Sequence, residues 1–203
     1  LYLNLDTYYF TLLASSTLFI TFFKFGKYDI KSNIFQRILT IFLGYLLIPL
    51  VLSIPFYFSI YNLTFSNSFF EAISGFTSTG FTIFDNIKLI DQSLIIWRST
   101  SQWIGGLYFL FSLLLLIDIF DENLKKSVTN YISFNSSEIS KQSVKIVFLY
   151  SFLTLVIFFF LKFINLRTFD AFNFSLTIIS SGGFLPVNNF DNLFVTDLSK
   201  VVL

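Results

Sequence analysis

The sequence predicts an all-α integral membrane protein built from repeated units, each made of a helix, a re-entrant loop and a second helix. Three observations predict it: the composition, four long uncharged runs, and two similar Gly-containing turns. The 203 residues are 55% hydrophobic and 12% charged, and 31 of them are Phe. A water-soluble domain of this composition would have too few polar side chains to cover its surface.

Four uncharged runs approach or exceed the ~20 residues that a helix needs to span ~30 Å of hydrocarbon. They are residues 7–23, 38–60, 99–117 and 146–161. The last run can extend past Lys162 to Leu166, because a lysine near a helix end can reach the headgroups. Four crossings are expected, and Pro49 and Pro55 are expected to kink or end the second.

Two segments share one pattern: an acidic residue, a short apolar run, a Ser/Thr-Gly turn and a Phe. They are FFEAISGFTSTGFT from Phe69 and TFDAFNFSLTIISSGGFLPV from Thr168. Their apolar parts, residues 69–76 and 172–179, are too short to cross a membrane and are predicted to be half-helices. Non-helical backbone at membrane depth is tolerated where it lines a cavity, and its carbonyls can then face an ion. The pattern therefore indicates part of an ion-conducting protein.

The basic residues predict the topology. Eight of them lie in two loops, Lys24, Lys27, Lys31, Arg37, Lys125, Lys126, Lys141 and Lys145, whereas residues 61–91 contain only Lys88. An excess of Lys and Arg marks cytoplasmic loops. Both Gly turns are then expected to enter the membrane from its outer face.

Local patterns give further expectations. Ser68 and Glu71 have the spacing of a capping box, so the first half-helix is expected to begin there, and Asp170 takes the comparable early position in the second. The segment from Asp170 to Phe184 is four residues longer than that from Glu71 to Phe81, which allows a longer second half-helix. Arg98 would be a functional charge if it lay deep in the bilayer. Near a helix start it is interpreted instead as an anchor that reaches the headgroups.

Composition also limits the function. The chain has no Cys and no His, which removes disulfides, thiolate metal sites and the commonest metal ligand and general base. We expect no enzymatic activity, no bound cofactor and no nucleic-acid partner. Because no Met occurs even at position 1, the chain is expected to be an internal piece of a longer protein.

The motif FEAISGFTSTGF, followed by WRSTSQWIGG and then by FDAFNFSLTIISSGGF, resembles the first and second repeats of the TrkH/KtrB potassium transporter superfamily. The resemblance implies four helix, pore loop, helix repeats around one pseudo-fourfold cation channel. It assigns an ion-binding selectivity filter to the residues Ser78, Thr79, Gly80, Phe81, Ser181, Gly182, Gly183 and Phe184. Whether Gly182 or Gly183 matches Gly80 stays open at this point.

The resemblance also divides the chain and suggests its partners. Residues 1–36 would be a peripheral helix with a basic loop, 37–120 the first repeat, 121–143 a cytoplasmic linker and 144–203 a truncated second repeat. A homodimer is implied, as are a cytoplasmic nucleotide-binding regulatory subunit and a multi-pass position in the cell inner (plasma) membrane. The early acids Asp118, Asp121 and Glu122 depart from the basic start that the family commonly has in this linker.

Several alternatives stay open. The transported ion would be potassium; alternatively, the protein would be a sodium-conducting member of the same superfamily. A structural subunit of another membrane complex would use the Gly turns only for folding. A secondary transporter would favour inverted repeats, whereas these two loops enter from the same side. Gly105 and Gly106 are read as helix-packing residues rather than as a gating hinge.

The topology can be tested with single cysteines, since the chain has none of its own. In the full-length protein, Asn86→Cys should react with an impermeant thiol reagent added outside the cell, and Asn130→Cys should not, because the Lys/Arg bias places it in the cytoplasm. Labelling of the Asn130→Cys variant alone would overturn the predicted topology.

Overall fold

The computed structural model describes residues 5–25, 34–116 and 139–186. Within these ranges the chain is helical and contains no strand. Its helices are α1 (Leu5–Phe25), α2 (Ile34–Leu52), α3 (Ile54–Tyr57), α4 (Phe65–Phe76), α5 (Gln92–Leu116), α6 (Ile139–Phe163) and α7 (Thr168–Ile179), with a short 3₁₀ helix at Ile87–Leu89. The all-α class expected from the sequence is confirmed.

Three stretches in the described part are long and apolar enough to cross a membrane. They are Ile34–Tyr57, which combines α2 and α3, Gln92–Leu116, which is α5, and Ser143–Phe163 within α6. They contain the second, third and fourth predicted crossings, except for residues 58–60 of the second and residue 117 of the third. The first predicted crossing lies within α1, which has 21 residues, and its position in the membrane stays a prediction.

The outer surface of α6 is what a lipid-facing helix requires. Its exposed side chains are large and apolar, among them Phe148, Phe152, Phe159 and Phe160. Apolar side chains exposed all along one face match a bilayer rather than water. Some of the many Phe residues thus form this exposed apolar surface.

The two prolines of the second crossing lie in different places. Pro49 is inside α2, which nevertheless continues to Leu52, and Pro55 lies in the first turn of α3. Proline lacks an amide hydrogen and is tolerated at a helix start, where that hydrogen would have no partner. The crossing is therefore interrupted at Ser53 and begins again as α3.

The two short helices, α4 and α7, occupy corresponding places. Each has 12 residues, and each ends five residues before the Phe that follows its Gly turn. α4 packs against α2 and α5, and α7 packs against α5 and α6. The expectation of a longer second half-helix is wrong, because Glu71 lies in the middle of α4 whereas Asp170 lies in the first turn of α7.

The start of the first half-helix also differs from the expectation. α4 begins at Phe65 with Thr64 as its N-cap, and the Thr64 side chain accepts a hydrogen bond from the amide of Asn67. The predicted capping box at Ser68 and Glu71 is therefore wrong. Asp170 is confirmed in the first turn of α7, where its charge favours the helix dipole.

Two apolar clusters hold the half-helices in place. The first joins α2, α3, α4, α5 and the loop between α4 and α5, and its buried members are Leu52, Phe56, Ala72, Phe76, Ile87, Ile90, Leu94 and Ile95. The second joins α6 and α7 through Leu161, Leu166, Ala171 and Phe174. Since α5 also packs against α7, it is the element that both half-helices share.

Two aromatic side chains of α5 find hydrogen-bond partners on α2. The indole of Trp97 on α5 donates to the carbonyl of Leu52 at the end of α2, at 2.9 Å. The hydroxyl of Tyr108 donates to the carbonyl of Ile41 at 3.0 Å. In a bilayer these carbonyls have no water to bond to, so such pairs fasten α5 to α2.

The loop between α4 and α5, residues 77–91, is held in place by Tyr61. Its hydroxyl donates to the carbonyl of Leu89 at 3.1 Å and accepts from the amide of Asp91 at 2.8 Å. Burial raises the pKa of the Tyr61 hydroxyl above its usual value, and the nearby Asp91 carboxylate adds to the rise, while the bond from the Asp91 amide opposes it. The hydroxyl therefore stays protonated and keeps both bonds at neutral pH.

Several predictions fall on residues 26–33, 117–138 and 187–203, which lie outside the described residues. They include the acids Asp118, Asp121 and Glu122 and most of the predicted cytoplasmic linker. α6 begins at Ile139, within that linker.

Gly105 packs α5 directly against the end of α4. A Cβ at this position would collide with the backbone carbonyl of Phe76, which a side-chain movement cannot relieve. We expect Gly105→Ala to lower the free energy of unfolding by about 1–3 kcal/mol, the usual cost of overpacking.

The measurement is a melting curve of the detergent-solubilised protein followed by size-exclusion chromatography. Leu113→Val, at an exposed position of the same helix, serves as the control and should melt close to the unmodified protein. Equal melting of Gly105→Ala and the unmodified protein would contradict the packing role and favour a hinge.

Candidate functional site

Both Gly turns leave their half-helices by the same backbone route. Ser78 and Ser181 each have a φ of 55°, the left-handed region that residues with a Cβ rarely adopt. Each Ser comes two residues after the end of its helix. The Ser of each turn therefore reverses the chain direction as the helix ends.

The hydrogen bonds settle the register between the turns. The amides of Thr79 and Gly182 each donate to the carbonyl five residues earlier, at 3.0 and 2.8 Å. Thr79 thus corresponds to Gly182, and Gly80 corresponds to Gly183. This resolves the alternative that the sequence left open.

The turns meet each other through their glycines. Gly80 has a φ of 81°, and a Cβ on it would lie 2.6 Å from the Cα of Gly183. Glycine suits such a position for two reasons: it adopts positive φ without strain, and it lets two backbones approach. The structure therefore brings together the two predicted turns at their central residues.

Most carbonyl groups of the turns are without protein partners. In the part of the chain that the structure describes, the carbonyl oxygens of Ser78, Thr79 and Gly80 accept no hydrogen bond, and neither do those of residues 181–183. The carbonyl of Phe81 is different, because it accepts a bond of 2.6 Å from the Ser74 hydroxyl. Six carbonyls are thus available to a cation, and that of Phe81 is drawn back toward α4.

A cavity of ≈ 380 Å³ lies at the C-terminal ends of both half-helices. It is lined by the residues Tyr45, Phe76, Thr77, Ser78, Gly105, Gly106, Phe109, Ser180 and Ser181. The carboxyl end of a helix carries a partial negative charge, because its last carbonyls are unpaired. Two such ends on one cavity favour a cation there.

A buried ion pair lies behind the first turn. The Nε of Arg98 donates to the Glu71 carboxylate at 2.8 Å, and the two side chains are 1% and 0% exposed. The interpretation of Arg98 as a headgroup anchor is therefore wrong. An unpaired charge at this depth would cost several kcal/mol, and the carboxylate supplies the partner that lowers this cost.

Glu71 also holds the chain that leaves the first turn. Its carboxylate accepts from the Thr82 hydroxyl at 2.9 Å and from the amide of Ile83 at 3.0 Å. Glu71 thus does not cap its own helix. It fixes the extended segment that follows Phe81.

The second turn is enclosed by the first repeat. Phe184 is 2% exposed, its ring lies 4.2 Å from the guanidinium carbon of Arg98, and its edge lies against Gly75 on α4. Phe81, at the corresponding place in the first turn, is 67% exposed. The two predicted aromatic residues therefore have different surroundings.

Gln102 on α5 is a site residue that sequence reasoning missed. With its amide in the orientation that satisfies both ends, its oxygen accepts from the amides of Gly183 and Phe184, each at 3.1 Å. A Cβ on Gly182 would collide with this side chain. The second turn thus needs Gly at the place where the first has Thr79.

A sequence signal for the missed ion pair existed. Glu71 and Arg98 are charged residues at or within the edges of apolar stretches, and isolated charges in a membrane are expensive. Pairing them with each other was the least costly arrangement. Gln102 carried no comparable signal. It is a neutral amide between Trp97 and Trp103 in the sequence, and such an amide has many possible partners.

Comparison with known proteins gives several relatives. No family model matches the chain. The chain is 27% identical over 169 residues to an uncharacterized cation transporter of Methanocaldococcus jannaschii, covering 79% of this chain and 34% of that protein. It is 25% identical over 188 residues to the Trk system potassium uptake protein TrkH of Salmonella typhimurium, covering 87% and 38%.

A solved structure has the same fold. The crystal structure of the potassium transporter TrkH from Vibrio parahaemolyticus matches with a TM-score of 0.64 at 20% identity, covering 84% of this chain and 34% of that one. The chain spans about a third of the length of these proteins. The resemblance seen in the motifs is confirmed in sequence and in fold, and the chain is a membrane-embedded protein.

Proposed function

We infer that this chain, which is similar to the TrkH/KtrB superfamily in sequence and fold, forms the first and second helix, pore loop, helix repeats of a potassium uptake protein. Relatives that it matches are named as Trk potassium uptake proteins, and the solved structure that it resembles is a potassium transporter. Since the chain spans about a third of these proteins, the pore would be completed by further repeats.

The observation that carries the proposal is the meeting of the two turns. Gly80 and Gly183 touch through their backbones, and six carbonyls beside them have no protein partner in the described residues. Non-helical backbone at membrane depth is tolerated where it is buried in protein or lines a water-filled cavity, and carbonyls without protein partners favour the second case. Rings of such carbonyls replace the water around a dehydrated cation.

The roles of the residues follow from this geometry. Ser78, Thr79 and Gly80 would supply carbonyls from the first turn, and Ser181, Gly182 and Gly183 would supply them from the second. The exposed hydroxyl of Thr79 is bonded to that of Thr77 at 2.7 Å, which orients it. Phe81 and Phe184 would position the turns rather than bind the ion.

The cavity below the turns would hold the ion after it passes the filter. There the C-terminal ends of α4 and α7 provide partial negative charge from the helix dipoles, without a fixed charge. A fixed carboxylate would bind a cation tightly and slow its release, whereas conduction requires weak binding at several places. Among the described residues, the cavity lining contains no ionisable group other than Tyr45.

The partners proposed are those that the resemblance implies. They are the lipid bilayer, a second copy in a homodimer and a cytoplasmic nucleotide-binding regulatory subunit, with the protein multi-pass in the plasma membrane. Three apolar spans in the described residues support the multi-pass position. The cytoplasmic linker predicted at residues 121–143 would contact the regulator, and its residues 121–138 lie outside the described residues.

The filter assignment is tested by Gly80→Ser in the full-length protein, expressed in cells that lack other potassium uptake. The added side chain would face Gly183 and disfavour the φ of 81°. We therefore expect the turn to be distorted and the discrimination of potassium from sodium to decrease, while the crossing helices still assemble. Uptake of both ions is measured and normalised to protein in the membrane.

Asn165→Ser is the matched control. Asn165 has a φ of 64° in the turn between α6 and α7, so this change puts Ser at a left-handed position outside the site and should leave discrimination intact. If Gly80→Ser reduces protein amount but leaves discrimination as in the unmodified protein, the turns are structural. Absence of potassium uptake by the unmodified protein would contradict the function itself.

A further inference from the structure

We propose that Arg98 and Gln102 of the first repeat are positioning residues for the second Gly turn, and that they set its discrimination between cations. The proposal rests on the proposed function, because it assigns these residues to the same filter. Both lie on α5, one helical turn apart, and therefore on one face of that helix. Neither binds the ion; each acts on backbone or side-chain groups of residues 183–184.

Arg98 connects the two turns. Its Nε is bonded to Glu71, which holds Thr82 and Ile83 just after the first turn. Its flat face covers the ring of Phe184, which ends the second turn. One side chain thus fixes both turns relative to each other.

The two terminal nitrogens of Arg98 make no hydrogen bond to the Glu71 carboxylate. Both are fully buried and have no hydrogen-bond partner within the described residues. Arginine frequently uses its fork to bond a carboxylate twice. Here a single Nε bond is made, and the guanidinium plane is used for contact with Phe184 instead.

A cation against an aromatic face is worth most where water is excluded. Arg98 is 1% exposed and the Phe184 ring lies 4.2 Å from its guanidinium carbon. A neutral side chain of similar length would fill the space and lose the electrostatic attraction. Phe184 would then move more freely, and with it the carbonyl of Gly183.

Gln102 fixes the same residues through their backbone. Its oxygen accepts from the amides of Gly183 and Phe184, so these amides are held toward α5. A peptide unit that points its amide hydrogen one way points its carbonyl the other way. Gln102 therefore turns the carbonyls of Gly182 and Gly183 away from α5.

The test separates positioning from stability with a double variant. Arg98→Met alone leaves the Glu71 carboxylate buried without its partner and should reduce the amount of folded protein. Adding Glu71→Gln removes that charge, so the double variant should recover much of the protein. It should not recover discrimination, because Phe184 still lacks the cationic face.

The readouts are protein in the membrane, and the maximal rate and half-saturating concentration for potassium and for sodium uptake by the full-length protein. We expect the double variant to lose discrimination by roughly tenfold, the effect of about 1.4 kcal/mol. The matched control is Arg167→Met with Asp170→Asn. That pair is also an Arg–carboxylate contact beside a Phe, but Arg167 is 64% exposed.

A second pair of variants keeps the proposal testable if the double variant does not fold. Gln102→Met removes the acceptor for both amides, whereas Gln102→Glu keeps an acceptor of the same shape. We expect Gln102→Met to lose discrimination by a similar factor and Gln102→Glu to retain more of it.

The outcomes are distinct. Unchanged discrimination in both the double variant and Gln102→Met, with normal potassium uptake by the unmodified protein, would overturn the positioning role and leave the proposed function standing. Failure of the unmodified protein to take up potassium would overturn the proposed function, and this inference with it. Equal losses in the Arg167 control would show a general effect and also overturn the inference.

Discussion

The arrangement of this site depends on one ion pair, between Glu71 and Arg98, that is closed off from solvent and lipid. Two charges cannot be placed at this depth without each other, because removing either one leaves the other uncompensated. Their pairing fixes α5 beside α4 and so determines where the first turn lies. The carboxylate still has capacity for two further donors, and it uses both on the segment after that turn.

The same pair explains why the second repeat packs as it does. α7 lies against α5 as well as against its own helix α6, and Phe184 inserts between Arg98 and Gly75. The second turn is thus built partly from the first repeat. Phe81 is exposed at the equivalent place, as expected if, in the proposed fourfold arrangement, a further repeat covers it.

Much of the fold could be predicted from the sequence, because a bilayer leaves few choices. A run of about 20 apolar residues must be a helix there, and the second, third and fourth crossings follow from this rule. The Gly turns were found for a related reason: a short apolar run ending in Gly cannot cross and must turn back. The start of α4 was missed because Thr64, four residues before Ser68, caps this helix instead.

The site was less predictable, because it depends on contacts between residues far apart in the sequence. Arg98 was placed at the headgroups by its position near a helix start, yet Glu71 draws it into the protein. The match of Gly80 with Gly183 required the hydrogen bonds of both turns. The need for Gly182 became clear only from Gln102, whose side chain occupies the space that a Cβ would take.

The central claim is that the two turns line one ion path. Crystals of the full-length protein grown with thallium, a heavy potassium substitute that scatters anomalously, test it most directly. The account predicts an anomalous peak within coordination distance of the carbonyls of residues 78–80 and 181–183. Peaks only elsewhere, or none beside Gly80 and Gly183 at thallium concentrations that support transport, would contradict it.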